Sequence, residues 1–98
     1  DTLKCFPDGA ILSNSARGDM IDDDAMVAAL KSGKIFSLGL DVYNGEPNIH
    51  PEYLTLPNVF VLPHLGSSTI RTRTAMGNLA VSNLDEFFKT GKCKNTIN

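Results

Sequence analysis

Ile35-Phe36-Ser37-Leu38-Gly39-Leu40-Asp41-Val42 is mostly apolar with no strict alternation, the pattern expected of a strand covered on both faces. Just upstream, Lys31 and Gly33 form a helix stop. Before them Ala25, Met26, Ala29 and Leu30 recur at helical spacing, behind Asp22-Asp23-Asp24, three acids suited to the positive end of a helix. Further back, Pro7-Asp8-Gly9 is turn chemistry that releases the apolar run Ala10-Ile11-Leu12, which ends near Asn14 and gives way to an Arg17-Gly18 turn. Strand, helix, strand predicts a βαβ unit.

On the other side, residues 43–56 contain Pro47 and Pro51 and show no period. They predict a loop long enough to be functional or to serve as a crossover. Pro57 leads into a third strand, Val59-Phe60-Val61-Leu62, stopped by Pro63. From about Ser68, Met76, Leu79, Ala80, Asn83, Leu84, Phe87 and Phe88 mark an amphipathic helix closing near Gly91, and its apolar stripe calls for a partner. The opening Asp1-Thr2-Leu3-Lys4-Cys5-Phe6 has no cap and reads as the tail of a helix whose beginning is missing. The architecture is half of an open parallel α/β sheet.

At 98 residues the chain is one domain at most, and a chain of this length buries only about 60–65% of its unfolded surface. Its formal net charge is −2, with no basic run to neutralise a nucleic-acid backbone. No apolar stretch approaches the roughly 20 residues that span a bilayer. Neither nucleic acid nor membrane is therefore expected as a partner. Cys5 and Cys93 fit no metal or redox spacing and are expected to be free thiols in a reducing compartment, which agrees with a cytoplasmic protein.

In open parallel sheets ligands bind beyond the carboxyl ends of the strands. Each expected strand is followed closely by an unusual polar residue: Arg17, Glu46 and His64. An imidazole titrates near pH ~6.5 and exchanges a proton at neutral pH, and an adjacent carboxylate orients it and favours its charged form. A guanidinium presents a planar fork to a carboxylate. Together they suit proton transfer to the oxygen of a 2-oxo acid, but none can deliver an electron pair, so a redox role requires a cofactor. Asp41, near the end of a buried strand, needs either backbone donors or a ligand amide. Gly66-Ser67-Ser68-Thr69 exposes N–H groups at a helix start, which an ordinary Ser or Thr cap also explains. His50, in a Pro-rich loop, is read as structural.

Asn14-Ser15-Ala16-Arg17-Gly18, Ala29-Leu30-Lys31-Ser32-Gly33, Gly39-Leu40-Asp41-Val42 with Glu46-Pro47, Asn58-Val59 and Pro63-His64-Leu65-Gly66-Ser67 together resemble the signature of D-isomer-specific 2-hydroxyacid dehydrogenases. The resemblance covers essentially the whole chain. Leu62 to Thr69, with Arg71-Thr72-Arg73, is most similar to the glyoxylate and hydroxypyruvate reductase branch. Formate dehydrogenase relatives differ in carrying an amide where this chain has Glu46.

The resemblance implies an α/β fold: residues 1–66 as the C-terminal half of a Rossmann-type dinucleotide-binding domain, and residues 67–98 as a long helix and tail returning toward an absent substrate domain. It implies NAD or NADP as cofactor, a small 2-oxo or 2-hydroxy acid as substrate, and a homodimer for the full-length protein. His64 would donate the proton to the carbonyl oxygen, Glu46 would keep His64 protonated, and Arg17 would bind the substrate carboxylate. Asp41 would accept from the nicotinamide carboxamide, with Ser15, Ala16, Gly66 and Ser67 lining its pocket. The glycine-rich phosphate turn would precede Asp1, so the chain alone is expected to be inactive. The alternative is a non-catalytic dinucleotide-binding regulatory module resembling the dehydrogenase-like corepressors.

Overall fold

The computed structural model describes residues 2–97. Three parallel strands, β1 (Ala10–Asn14), β2 (Ile35–Leu40) and β3 (Val59–Val61), form one sheet in the order β1-β2-β3. Asn14 lies beside Leu40, and Leu40 beside Val61. All three strands therefore end at the same edge of the sheet, and the loops that follow them gather there.

The helix α1 (Asp23–Ser32) connects β1 to β2. Asp22 caps it by accepting from the Ala25 N–H at 3.0 Å, and Gly33 ends it in the left-handed conformation, where glycine carries no Cβ penalty. Met26, Val27, Ala29 and Leu30 of α1 pack with Ile35, Leu38 and Leu40 of β2 to make the core. Lys34 and Asp8 pair across the turn below it at 2.8 Å.

The connection from β2 to β3 carries a 3-10 turn at Pro51–Leu54 that its aperiodic sequence did not announce. Tyr53 of that turn is buried in the core cluster, and its hydroxyl donates to Asp23 Oδ1 at 2.9 Å. His50 Nε2 lies 3.3 Å from Asp24, and its ring meets Tyr53 edge-on.

Two expectations need correction. β2 is not covered on both faces among the described residues, since Phe36 remains 64% exposed; Ile11 and Phe60 of the neighbouring strands are 73% and 66% exposed. β2 also stops at Leu40, so Asp41 and Val42 lie just beyond the strand, although both are buried. At the start of the chain Thr2–Cys5 form a 3-10 turn; the reading made of Asp1 falls outside the described residues. Cys5 and Cys93 are both free thiols.

By its contacts the chain divides after Gly66. The second unit consists of α2 (Ile70–Thr90) and a short tail. The Thr69 side chain accepts from the Thr72 N–H at 3.1 Å, an ordinary cap, and Gly91 closes the helix in the left-handed conformation. None of the α2 residues is buried; Met76, Leu79, Leu84, Phe87 and Phe88 are 51–81% exposed. No described helix is long and apolar enough to cross a membrane.

Candidate active site

Asn14, the last residue of β1, is buried and shapes the turn that follows. Its Nδ2 donates to the Arg17 carbonyl at 2.8 Å and its Oδ1 accepts from the Ala16 N–H at 3.1 Å. Both halves of the amide are thereby satisfied, and Ser15, Ala16 and Arg17 are held in a tight curve beyond the strand. Gly18 follows with no room for a side chain: a Cβ there would lie 2.0 Å from the Tyr43 carbonyl carbon. The first loop is thus pressed against the second. Asn14 was part of the quoted motif, yet its amide role is visible only once the turn is folded.

Asp41 is 8% exposed and answers the choice posed by its sequence position. Its two oxygens accept from the backbone N–H groups of Leu65, at 2.6 Å, and Gly66, at 2.8 Å. A carboxylate offers about four acceptor positions, so this arrangement leaves capacity for a further donor. Asp41, Gly66 and Ser15 line a cleft of about 340 Å³ that Leu40, Phe60 and Leu62 make partly apolar. The cleft thus combines an apolar wall with a carboxylate of spare acceptor capacity, a fit for a flat heteroaromatic ring bearing a carboxamide. Ala16 lines a neighbouring groove, also reached by Ser15, and Ser67 is the first residue of the second unit.

Glu46 and His64 meet directly. His64 Nδ1 lies 2.8 Å from Glu46 Oε2, while the other carboxylate oxygen, Oε1, accepts from the Tyr43 N–H at 3.0 Å. The bond to His64 holds the Glu46 carboxyl below its ordinary value, helped by the Tyr43 N–H and by the positive charge of Arg17. An ionised carboxylate only accepts, so Nδ1 must carry the hydrogen, and Nε2 is the nitrogen left for outside chemistry. Arg17 Nη1 donates to the Ala16 carbonyl at 2.8 Å, and the side chain is exposed. Three residues from three strand ends thus form one electrostatic group: a carboxylate, an imidazole bonded to it and a guanidinium whose field the carboxylate feels.

His64 also has a backbone peculiarity that sequence reasoning missed. Its φ is 56°, in the left-handed region, which costs a non-glycine residue roughly 1–2 kcal/mol and is maintained where surrounding contacts impose it. Tyr43 is a further omission: its hydroxyl donates to the Leu62 carbonyl. The aperiodic loop offered no signal for it beyond the presence of an aromatic residue with a polar tip.

Comparison with known proteins gives this arrangement a context. The family described as D-isomer specific 2-hydroxyacid dehydrogenase, NAD binding domain, matches residues 1–66. Glycerate dehydrogenase of Hyphomicrobium methylovorum is 45% identical over 87 residues, covering 89% of this chain but 27% of that protein. Glyoxylate reductase 1 of Saccharomyces cerevisiae is 45% identical over 92 residues, or 94% and 26% of the respective lengths. A glyoxylate reductase from Paecilomyes thermophila superposes with a TM-score of 0.92 at 40% identity, over 97% of this chain and 29% of that structure. An NADPH-dependent glyoxylate/hydroxypyruvate reductase from Sinorhizobium meliloti, in complex with NADP and malonate, superposes with a TM-score of 0.86 at 37% identity, over 97% and 33%. The chain therefore spans about a quarter to a third of the length of such relatives. With the family match running through all three strands, the chain belongs to the D-isomer specific 2-hydroxyacid dehydrogenases, residues 1–66 matching their NAD-binding domain.

Proposed function

We propose that the protein carrying this chain reduces small 2-oxo acids to D-2-hydroxy acids with NADH or NADPH, and that glyoxylate and hydroxypyruvate are among its substrates. The observation that carries this reading is the 2.8 Å pair of Glu46 with His64 beyond the strand ends, within the field of Arg17. The names of the relatives support the choice of substrates. Ser15, Ala16, Asp41 and Gly66 would hold the nicotinamide, with the spare acceptor capacity of Asp41 taking the carboxamide N–H. A reduced nicotinamide, when bound, supplies a hydride to C2 of the oxo acid. His64 Nε2 gives its proton to the carbonyl oxygen, so that C=O becomes CH–OH, and recovers a proton from solvent. Glu46 holds Nδ1 and leaves Nε2 for the transfer, and the Arg17 guanidinium takes the substrate carboxylate.

The exposed stripe of α2 supports a partner surface and, with it, a homodimer for the full-length protein. Two free thiols support a cytoplasmic setting. The 98-residue chain by itself is proposed to be inactive. The test is oxidation of NADH and NADPH by the full-length protein with glyoxylate or hydroxypyruvate. Turnover with either acid is expected. Arg17→Ala should raise KM for the oxo acid roughly 10- to 100-fold, the worth of a charged hydrogen bond, while leaving dinucleotide affinity unchanged. Absence of turnover with every short 2-oxo acid tried would overturn the proposal.

A further inference from the structure

His64 stands in a left-handed backbone conformation, and the short segment that follows β2 grips the chain on both sides of it. Behind His64, the Leu62 carbonyl accepts from the Tyr43 hydroxyl. Ahead of it, the Leu65 and Gly66 N–H groups donate to Asp41. The imidazole itself is held by Glu46, whose second oxygen is fixed by the Tyr43 N–H. Tyr43 is therefore bonded twice to this assembly, through its backbone to the carboxylate and through its phenol to the chain carrying the imidazole. It also receives the Arg17 loop, since Gly18 is stripped of a side chain where it meets the Tyr43 carbonyl.

We infer that Tyr43 is a positioning residue of the Arg17, Glu46 and His64 site, the common post against which the loops beyond β1 and β3 are set. Its hydroxyl fixes the backbone that orients the His64 ring, and it acts through His64 and Glu46. The side chain is half-buried against the core, and burial, reinforced by the Asp41 and Glu46 carboxylates, pushes the phenol above its ordinary value. Tyr43 thus remains a neutral donor wherever Glu46 and His64 are paired. A phenylalanine at this position keeps the packing and the backbone N–H and deletes only the bond to Leu62.

This inference rests on the reductase reading for its kinetic part but not for its structural part, and the experiment separates the two. Tyr43→Phe is made in the full-length protein and compared with wild type by histidine-selective nitrogen NMR, thermal melting and steady-state reduction of glyoxylate and hydroxypyruvate. The expected result is a His64 Nδ1–H signal that is distinct in wild type and broadened by exchange in the variant, with a little-changed melting temperature. The kcat should fall roughly 10-fold, within the ~100-fold loss that a 1 Å misplacement can bring, while KM for the dinucleotide stays the same. An unchanged His64 signal overturns the inference whatever the rate does, and so does a freed ring that costs no turnover in an active enzyme. A wild-type protein that reduces no 2-oxo acid overturns the reductase reading alone, and the NMR comparison then decides the role of Tyr43.

Discussion

Asp41 and Glu46 both follow β2, and they end in different environments. Asp41 is buried, and both of its oxygens are occupied by backbone N–H groups from the loop beyond β3. Glu46 has a side chain 35% exposed, and one of its two partners is a group that titrates. A carboxylate held by backbone donors fixes geometry, because its partners cannot change charge. One bonded to an imidazole governs a proton, because its partner can. The same short segment thus supplies both a structural corner and a chemical one, and altering Asp41 should show first in stability, altering Glu46 first in the reaction.

The largest effect belongs to the chemical corner. His64→Asn, which keeps a polar side chain but cannot donate a proton near neutrality, should lower kcat roughly 10²- to 10⁴-fold, the range of general acid–base catalysis. Dinucleotide binding, read by fluorescence titration, should survive. At the structural corner Asp41→Ala leaves two N–H groups without their acceptor and should cost about 2–5 kcal/mol of stability by denaturant unfolding. A stability close to wild type would show that water or a rearranged loop replaces the carboxylate.

Glu46→Gln should leave stability nearly intact and act on turnover instead. The amide accepts the Nδ1–H more weakly than the carboxylate does, so kcat for the proposed reduction should fall roughly 10-fold while KM for the dinucleotide stays the same. On the acid side, the Glu46 carboxyl is held below its ordinary value in the folded protein, chiefly by the bond to His64. Its contribution to stability is therefore present above the ordinary carboxyl range and lost only as pH falls through the lowered value. Loss of the pair near neutral pH would contradict that assignment.

Much of this was legible before folding, for local reasons. The ends of α1 and α2 are fixed by Asp22, Gly33, Thr69 and Gly91, each acting on neighbours in sequence. The three strand-end residues followed from where apolar runs stop. What escaped notice depends on contacts distant in the chain. Asp41 announced a need for partners, but not that Leu65 and Gly66 would meet it. Tyr43 and Tyr53 sit in a segment without a period, where nothing local distinguishes an anchor from a spacer. The run from Ile35 to Val42, without alternation, suggested a strand covered on both faces, and Phe36 is exposed here. An apolar side chain expresses a preference for cover without specifying what supplies it.

The most direct test of the pairing is a double-mutant cycle on kcat/KM for 2-oxo acid reduction, with His64→Asn, Glu46→Gln and the two together in the full-length protein. If Glu46 acts through the proton that His64 transfers, the combined variant should be no slower than His64→Asn alone, since residues acting as a unit are not additive. Losses that multiply would contradict it, and would mean that the two residues serve the reaction independently.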